Sequence, residues 1–217
     1  MKTFLIILVS CISLSANAQL VREVNRETPQ EKKYINIEGS PYLKPAWTDG
    51  IVTFEGGKTL AIKKLNFDEV LGKPIFSQAS YEVLEFDEPV NGFKFQDSSG
   101  VQIFKNHLTL PDNENYNTYY QILFDGTIVL AKLNKKVIED TRKFSNATTD
   151  RTFASRDQYF IIRSNKLYKI SNEKSLVSSF DGDQKGKVSE YIKEKDISYK
   201  NEGQLIDLVS ELNQLLK

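Results

Sequence analysis

From residue 34 to residue 170, apolar and polar positions alternate in short runs, and residues suited to tight turns separate one run from the next. Alternation with a period of two places successive side chains on opposite faces of a strand, so these runs read as half-buried β-strands. Runs 51–54 and 59–63 flank Glu55-Gly56-Gly57-Lys58, and runs 92–95 and 101–104 flank Asp97-Ser98-Ser99-Gly100. Runs 119–124 and 127–133 are joined by Asp125-Gly126. That dipeptide suits a two-residue type I′ turn, because glycine accepts the positive φ such a turn requires. Runs 159–163 and 166–170 flank Ser164-Asn165, and runs 34–37 and 81–86 read as two further strands. The turn centres do not recur at a fixed interval, which disfavours a propeller or solenoid and favours a meander closing into a sandwich or open barrel.

After Ile170 the apolar period lengthens to that of a helix. Leu176, Val177 and Phe180 share one face behind Ser171 or Asn172 as a cap, and Val188, Tyr191 and Ile192 continue the pattern. Leu205, Ile206, Leu208, Val209, Leu212, Leu215 and Leu216 form the strongest stripe. Asn201, with Gln204 three residues later, has the form of a capping box. Such a stripe is an inward face packed on a sheet; its rival is a docking surface for a partner. The expected fold is therefore α+β: a mainly antiparallel β meander over 34–170, then two or three C-terminal helices over 171–217 packed on the sheet. Together they make one domain, 34–217.

The first 18 residues obey neither pattern. Lys2, an apolar stretch over 4–12 and Leu14-Ser15-Ala16-Asn17-Ala18 before Gln19 make the basic, apolar and small-residue parts of a secretory signal peptide. The stretch is shorter than the roughly 20 apolar residues that span a bilayer, and no later segment comes closer. Leu8-Val9-Ser10-Cys11 fits a bacterial lipobox, which would make Cys11 a lipid anchor, but it leaves too short an apolar region before it. Residues 19–33 are polar, mixed in charge and contain Pro29, and read as a flexible leader. The expectation is an exported chain, periplasmic or at the cell surface, soluble after cleavage.

Composition narrows the chemistry. Cys11 is the only cysteine, so cleavage after Ala18 removes disulfides, thiolate metal sites and cysteine nucleophiles together. Lysine plus arginine and aspartate plus glutamate each number 29, a balance that gives no reason to expect nucleic acid or an anionic membrane as partner. The charge is nevertheless segregated: 81–126 is acidic and 127–170 basic. The two segments are expected to neighbour one another, with opposite charges facing across strands. The functional alternative is a basic face of Lys132, Lys135, Lys136, Arg142, Lys143, Arg151 and Arg156 that collects an anionic glycan.

No catalytic constellation emerges. His107 is the only histidine, placed at the end of a strand, and one histidine alone makes neither a triad nor a zinc site. Asp181-Gly182-Asp183 superficially resembles a calcium loop, but Lys185 and Ile192 stand where its fifth and twelfth ligands belong. It reads instead as an interhelical turn with Asp183 as N-cap. The polar loop 111–117 runs into Tyr119-Tyr120 and offers oxygens beside aromatic rings, a place for calcium or a stacked sugar, or simply a hairpin loop. A glycosidase needs two carboxylates across a cleft, which spacing in a chain of 29 acids cannot select. Asn146-Ala147-Thr148 has the form of a glycosylation sequon.

Gly39-Ser40-Pro41-Tyr42-Leu43, the run 50–54 with its Gly-Gly-Lys turn, the segment 119–126 (YYQILFDG) and the tail from Lys187 together resemble a group of uncharacterised secreted proteins of Bacteroidetes-type bacteria. The resemblance spans most of the chain after residue 18. It implies an envelope location and one continuous domain, and it carries over no functional residue.

The expectation is thus an exported, non-enzymatic binding or protein-interaction module of the bacterial envelope, with loops at one end of the sheet as its binding surface. Trp47, Tyr116, Tyr119 and Tyr120 are the candidate contacts, an envelope protein or a glycan the partner, and no cofactor or metal is expected. The alternatives are a carboxylate-dependent hydrolase of glycan or peptide and a purely structural envelope component.

Overall fold

The computed structural model describes residues 34–78, 83–98, 100–142, 149–193 and 195–216. The signal peptide, Cys11, the leader 19–33 and the sequon lie outside the described residues.

Among the described residues twelve strands and three α-helices follow one another, with a 3-10 turn at Glu55–Gly57. The strands are β1 (Thr48–Phe54), β2 (Thr59–Asp68), β3 (Lys73–Ser77), β4 (Val83–Glu85), β5 (Val90–Asp97), β6 (Gly100–Lys105), β7 (Tyr120–Phe124), β8 (Val129–Leu133), β9 (Lys136–Arg142), β10 (Thr149–Ser155), β11 (Gln158–Arg163) and β12 (Lys166–Ile170). The helices are α1 (Glu173–Val177), α2 (Gly182–Lys193) and α3 (Glu202–Leu215). Ten strands form one antiparallel sheet in the order β12-β11-β8-β7-β6-β5-β1-β2-β3-β4, and β9 pairs only with β10 as a separate hairpin. The α+β meander with C-terminal helices read from the sequence is the observed fold, with the sheet left open.

Two runs depart from expectation. Residues 34–37 form no strand: Asn36 turns at φ 62°, and only Glu38 bridges Thr152 of β10, in parallel. Asp125-Gly126 does not make a two-residue type I′ turn either. Gly126 is absent from the positive-φ residues, and pairing resumes only at Phe124 with Leu130. The two-residue turn with left-handed backbone is Ser164-Asn165, at φ 47° and 58°.

The sheet curls strongly at its β4 end. β4 and β1 are three places apart, about 14 Å in a flat sheet at roughly 4.8 Å per strand. Yet Phe86, the residue after β4, sets its ring 5.9 Å from that of Phe54 in β1 and 4.7 Å from that of Phe76 in β3. The strands β2–β4 thus roll over the face of β1, β5 and β6 and enclose Val52, Leu65, Phe67, Phe93, Phe95 and Phe104. Phe93 stacks on Phe104 at 4.6 Å, and Phe67 stacks on Phe93 at 5.4 Å.

One register row explains how the same face serves two cores. It runs Val52, Phe93, Phe104, Gln121, Lys132, Tyr159, Ile170 across seven strands. Its first three members lie under the curl. Ile170 at the far end lies under the helices, with Leu130, Ile161, Leu176, Val188, Leu205, Leu208, Val209 and Leu212. The two polar members stand at the junction and are engaged: Gln121 accepts from Asn134 Nδ2 at 3.0 Å, and Lys132 pairs with Asp157 and Glu202.

The helix starts follow their local sequence. Asn172 caps α1 and exchanges bonds with Ser175 as a complete capping box. Asn201 caps α3 by accepting from Gln204 N, but the Gln204 side chain accepts from Ser198 N instead of returning to Asn201. Half of the expected box is present. Asp183 is not the cap of α2: the helix begins at Gly182, which puts Asp183 in its first turn.

Candidate functional site

Because every neighbouring pair is antiparallel, β6 and β8 end at one edge of the sheet and β2 and β4 at the other. The curl of the β4 end brings these ends together, and the segments leaving the four strands enclose a cleft of about 530 Å³. A volume of that size is typical of small-ligand sites. Phe67, Phe86, Val90, Tyr119 and Leu133 supply its apolar lining, and Asn106 and His107 line it from the segment after β6. Glu85, Asp87, Glu88 and Lys73 add charge to the lining and Asn117 and Thr118 further polar groups, with Lys73 bound to Glu85 at 2.8 Å.

The back of the cleft is organised around one carbonyl. Val90 O accepts from Asn106 Nδ2 at 2.9 Å and from the Tyr119 hydroxyl at 2.5 Å. Burial pushes the Tyr119 phenol up to about 12. Asn106 is 8% exposed, and with its Nδ2 committed to Val90 its Oδ1 is left buried without a hydrogen-bond partner. A buried acceptor in that state costs free energy.

His107 adopts φ 55° and stacks on Tyr116 with ring centroids 4.1 Å apart and planes 7° from parallel. Its Nε2 lies 3.3 Å from Asn117 Oδ1, and its backbone N–H donates to Tyr116 O. The polar loop after β6 is therefore a compact series of turns closed on His107. Among the described residues no group of three or more histidine, cysteine, aspartate or glutamate side chains could hold a metal ion.

A second layer steadies the same end. Asp68, fully buried, accepts from Val70 N and Leu71 N at 2.9 Å and from the Tyr34 hydroxyl at 2.9 Å. Burial and that bond to Asp68 raise the pKa of Tyr34. Lys136, at the start of β9, pairs with the buried Glu69 at 2.7 Å and donates to Ser40 O and Tyr42 O. Burial raises the Glu69 pKa, and the Lys136 ammonium opposes it without cancelling it.

Of the four aromatic candidates only Tyr119 lines the cleft. Tyr116 contributes through its stack on His107. Trp47 is half-buried against Tyr42, ring centroids 6.0 Å apart, outside the lining. Tyr120 is 1% exposed and packs edge-on against Phe160, so it is withdrawn from any ligand. The proposed basic face is largely neutralised: Lys132, Lys136, Arg151 and Arg156 each pair with a carboxylate. Nor do the described ion pairs join the acidic segment to the basic one. Glu85 meets Lys73, Asp97 meets Lys44, and Asp125 meets Lys105. Asn106, the residue that most distinguishes the cleft, carries no sequence signal, because its burial depends on a carbonyl from the preceding hairpin.

No protein-family model matches the chain, and neither a curated protein nor a solved structure is detectably similar to it.

Proposed function

We propose that this chain is an exported, non-enzymatic binding module of the bacterial envelope whose ligand site is the cleft at the ends of β2, β4, β6 and β8. The observation that carries the reading is a half-open cleft of about 530 Å³ with an aromatic and aliphatic lining. Export rests on the signal-peptide pattern of residues 1–18, and the resemblance to secreted proteins of Bacteroidetes-type bacteria supports the same address. The partner is an envelope protein or a glycan. A carboxylate-dependent hydrolase would need two inward carboxylates. The cleft instead offers exposed Asp87 and Glu88 and a Glu85 engaged by Lys73.

Two measurements test this. Protein secreted from its own host should have Gln19 as its first residue by mass spectrometry; a diacylated Cys11 would replace the soluble module by a lipoprotein. Titration of isotope-labelled protein with envelope peptides and glycan fragments should shift the amides of Asn106, His107 and Tyr119. Shifts confined to other surfaces, or none at saturating concentrations, would overturn the cleft as the binding site.

A further inference from the structure

The sheet face turned away from Val52, Phe93 and Phe104 carries a second hollow, of about 510 Å³, over β1, β5 and β6. It shares no lining residue with the cleft. Register arranges its floor in two rows. Lys94 of β5 stands between Ile51 of β1 and Ile103 of β6, and Gly92, two residues earlier on β5, stands between Thr53 and Lys105. Alternate residues of a strand share a face, so these six positions lie on the same side of the sheet. Gly92 brings no side chain to the middle of its row, which leaves the hollow there. Close approach of β6 requires the glycine, since an added Cβ would meet Phe104 O at 2.8 Å.

Charge sets the character of this groove. Lys94 and Lys105 are diagonal neighbours on adjoining strands, a placement that separates Cβ atoms by about 7 Å. Among the described residues no carboxylate lines the hollow. Lys105 reaches Asp125, outside it, at 3.2 Å, but both side chains are largely exposed and such a pair contributes little. Lys94 is half-buried and has no hydrogen-bond or ion-pair partner among the described residues. Beside it Ile103 is 39% exposed. The other polar groups carry no charge: Thr53 and Thr59 offer hydroxyls that donate or accept, and Asn91 Oδ1 is buried. A smaller hollow of about 340 Å³ continues past Ile51 and Lys94, where Asp49 and Lys63 pair with each other at 2.8 Å.

A cation entering the groove meets like charge and no anion. A neutral hydrocarbon covers Ile51 and Ile103 but strips water from an ammonium without replacing it, which costs free energy. A carboxylate answers Lys94, with Lys105 on the diagonal, while its hydrocarbon lies on the isoleucines and over Gly92. A peptide body fits less well. β1, β5 and β6 are interior strands, each paired on both sides, so the backbone beneath the hollow has no free edge to satisfy peptide groups. We propose that this groove is a second binding site, which takes the carboxylate of a free aliphatic or aromatic acid on Lys94.

Calorimetric titration and amide-shift mapping of the chain from Gln19 onward would use octanoate, 1-octanol and protonated octylamine as matched anion, neutral and cation. N-acetyl-Leu-Leu would present a carboxylate on a peptide body. The expected result is at least about tenfold tighter binding of octanoate than of the other three, weakening with added salt, with shifts at Gly92, Lys94 and Ile103. Lys94→Gln, checked for folding by circular dichroism, should shrink that preference to less than about threefold and leave 1-octanol unchanged, whereas Lys94→Arg should keep it. Lys63→Gln, in the neighbouring hollow, should alter octanoate binding by less than about twofold.

A smaller margin over 1-octanol or octylamine, or a folded Lys94→Gln protein that keeps the preference, would overturn the anionic assignment. N-acetyl-Leu-Leu binding as tightly as octanoate would overturn the free acid as the source. Absence of groove shifts with octanoate would overturn the site itself, whatever the cleft binds.

Discussion

Asn213 of α3 closes both backbone groups of Ile128: its Oδ1 accepts from Ile128 N at 2.9 Å and its Nδ2 donates to Ile128 O at 2.9 Å. One side chain thus replaces the cross-strand bonds that a short hairpin would have made between β7 and β8. It also stands against Gly126, where an added Cβ would meet Asn213 Oδ1 at 2.7 Å. The loop after β7 is shaped by the last helix, 85 residues away in sequence.

Asn213→Ala is therefore expected to lower stability by about 2–3 kcal/mol, since Ile128 is buried and both its peptide groups lose their partner. Urea unfolding measures the change. A loss below about 0.5 kcal/mol would show that water or the loop itself replaces the side chain. Truncation before Asn201 removes Leu205, Leu208, Val209 and Leu212 from the core and should abolish cooperative unfolding altogether.

Gly50 sits where β1 passes closest to β5 and β2. A Cβ there would meet Lys94 O at 2.7 Å, a backbone atom that cannot swing aside. Gly50→Ala is expected to cost about 2–3 kcal/mol through strain in the curled end of the sheet. A thermal melt unchanged from the parent would contradict so tight an approach.

The Glu69–Lys136 pair makes stability depend on pH with a definite sign. Glu69 has a folded pKa above its ordinary 4.5, so the folded chain holds this proton more tightly than the unfolded chain does. The stability this contributes is complete below the unfolded value and is lost as pH rises through the folded one. Glu69→Gln cannot titrate, so its disadvantage relative to the parent should shrink as pH rises from 4.5 through that window. Melting temperatures of both proteins across the window read the difference, and parallel profiles would refute it.

Alkali should reveal the two adjoining tyrosines. Burial pushes Tyr119 and Tyr120 up to about 12, so both phenols should ionise late in an ultraviolet titration. For these groups too the raised folded value means stability present below the ordinary 10 and lost as pH climbs toward 12. Tyr119→Phe should remove one late phenol and cost about 1 kcal/mol, the Val90 carbonyl keeping its bond from Asn106.

The turn Ser164-Asn165 carries positive φ at two residues that have a Cβ. Replacing it by Asn-Gly, the pair best suited to a type I′ turn, is expected to raise stability by about 1 kcal/mol. A neutral or destabilising outcome in urea unfolding would indicate that the Ser164 hydroxyl makes a contact of its own.

The contrast between these turns shows which signals were legible. Asp125-Gly126 had the right residues for a tight hairpin, yet α3 docks on it and the wider loop wins through Asn213. Ser164-Asn165 has no helix against it, and its local geometry prevails. β3 hides behind Pro74, which a strand reading rejects. The proline is tolerated because β4 pairs only with Ile75, Phe76 and Ser77, leaving the missing N–H beyond the end of β4. β9 and β10 read as a charged stretch, because their ion pairs Arg151–Asp140 and Arg156–Glu139 put charge on strands that no core requires to be apolar on one face. Residues 34–37 have the alternation of a strand but serve as a strap, with Tyr34 held by Asp68 and set edge-on to Phe153.

By itself the sequence determined what depends on near neighbours: the strand and helix periods, a cap at Ser171 or Asn172, the cap Asn201, the inward stripe of α3, and the α+β order of elements. These follow from side chains within about four residues of one another, where local sterics and burial act directly. Only the tertiary structure decided which strands lie side by side, how the β4 end rolls over β1, and that the ends of β2, β4, β6 and β8 meet around a cleft. Asn106 illustrates the reason. Its identity is visible in the chain, but its buried, unpartnered oxygen exists only because the Val90 carbonyl, 16 residues earlier, takes its other hydrogen-bonding group.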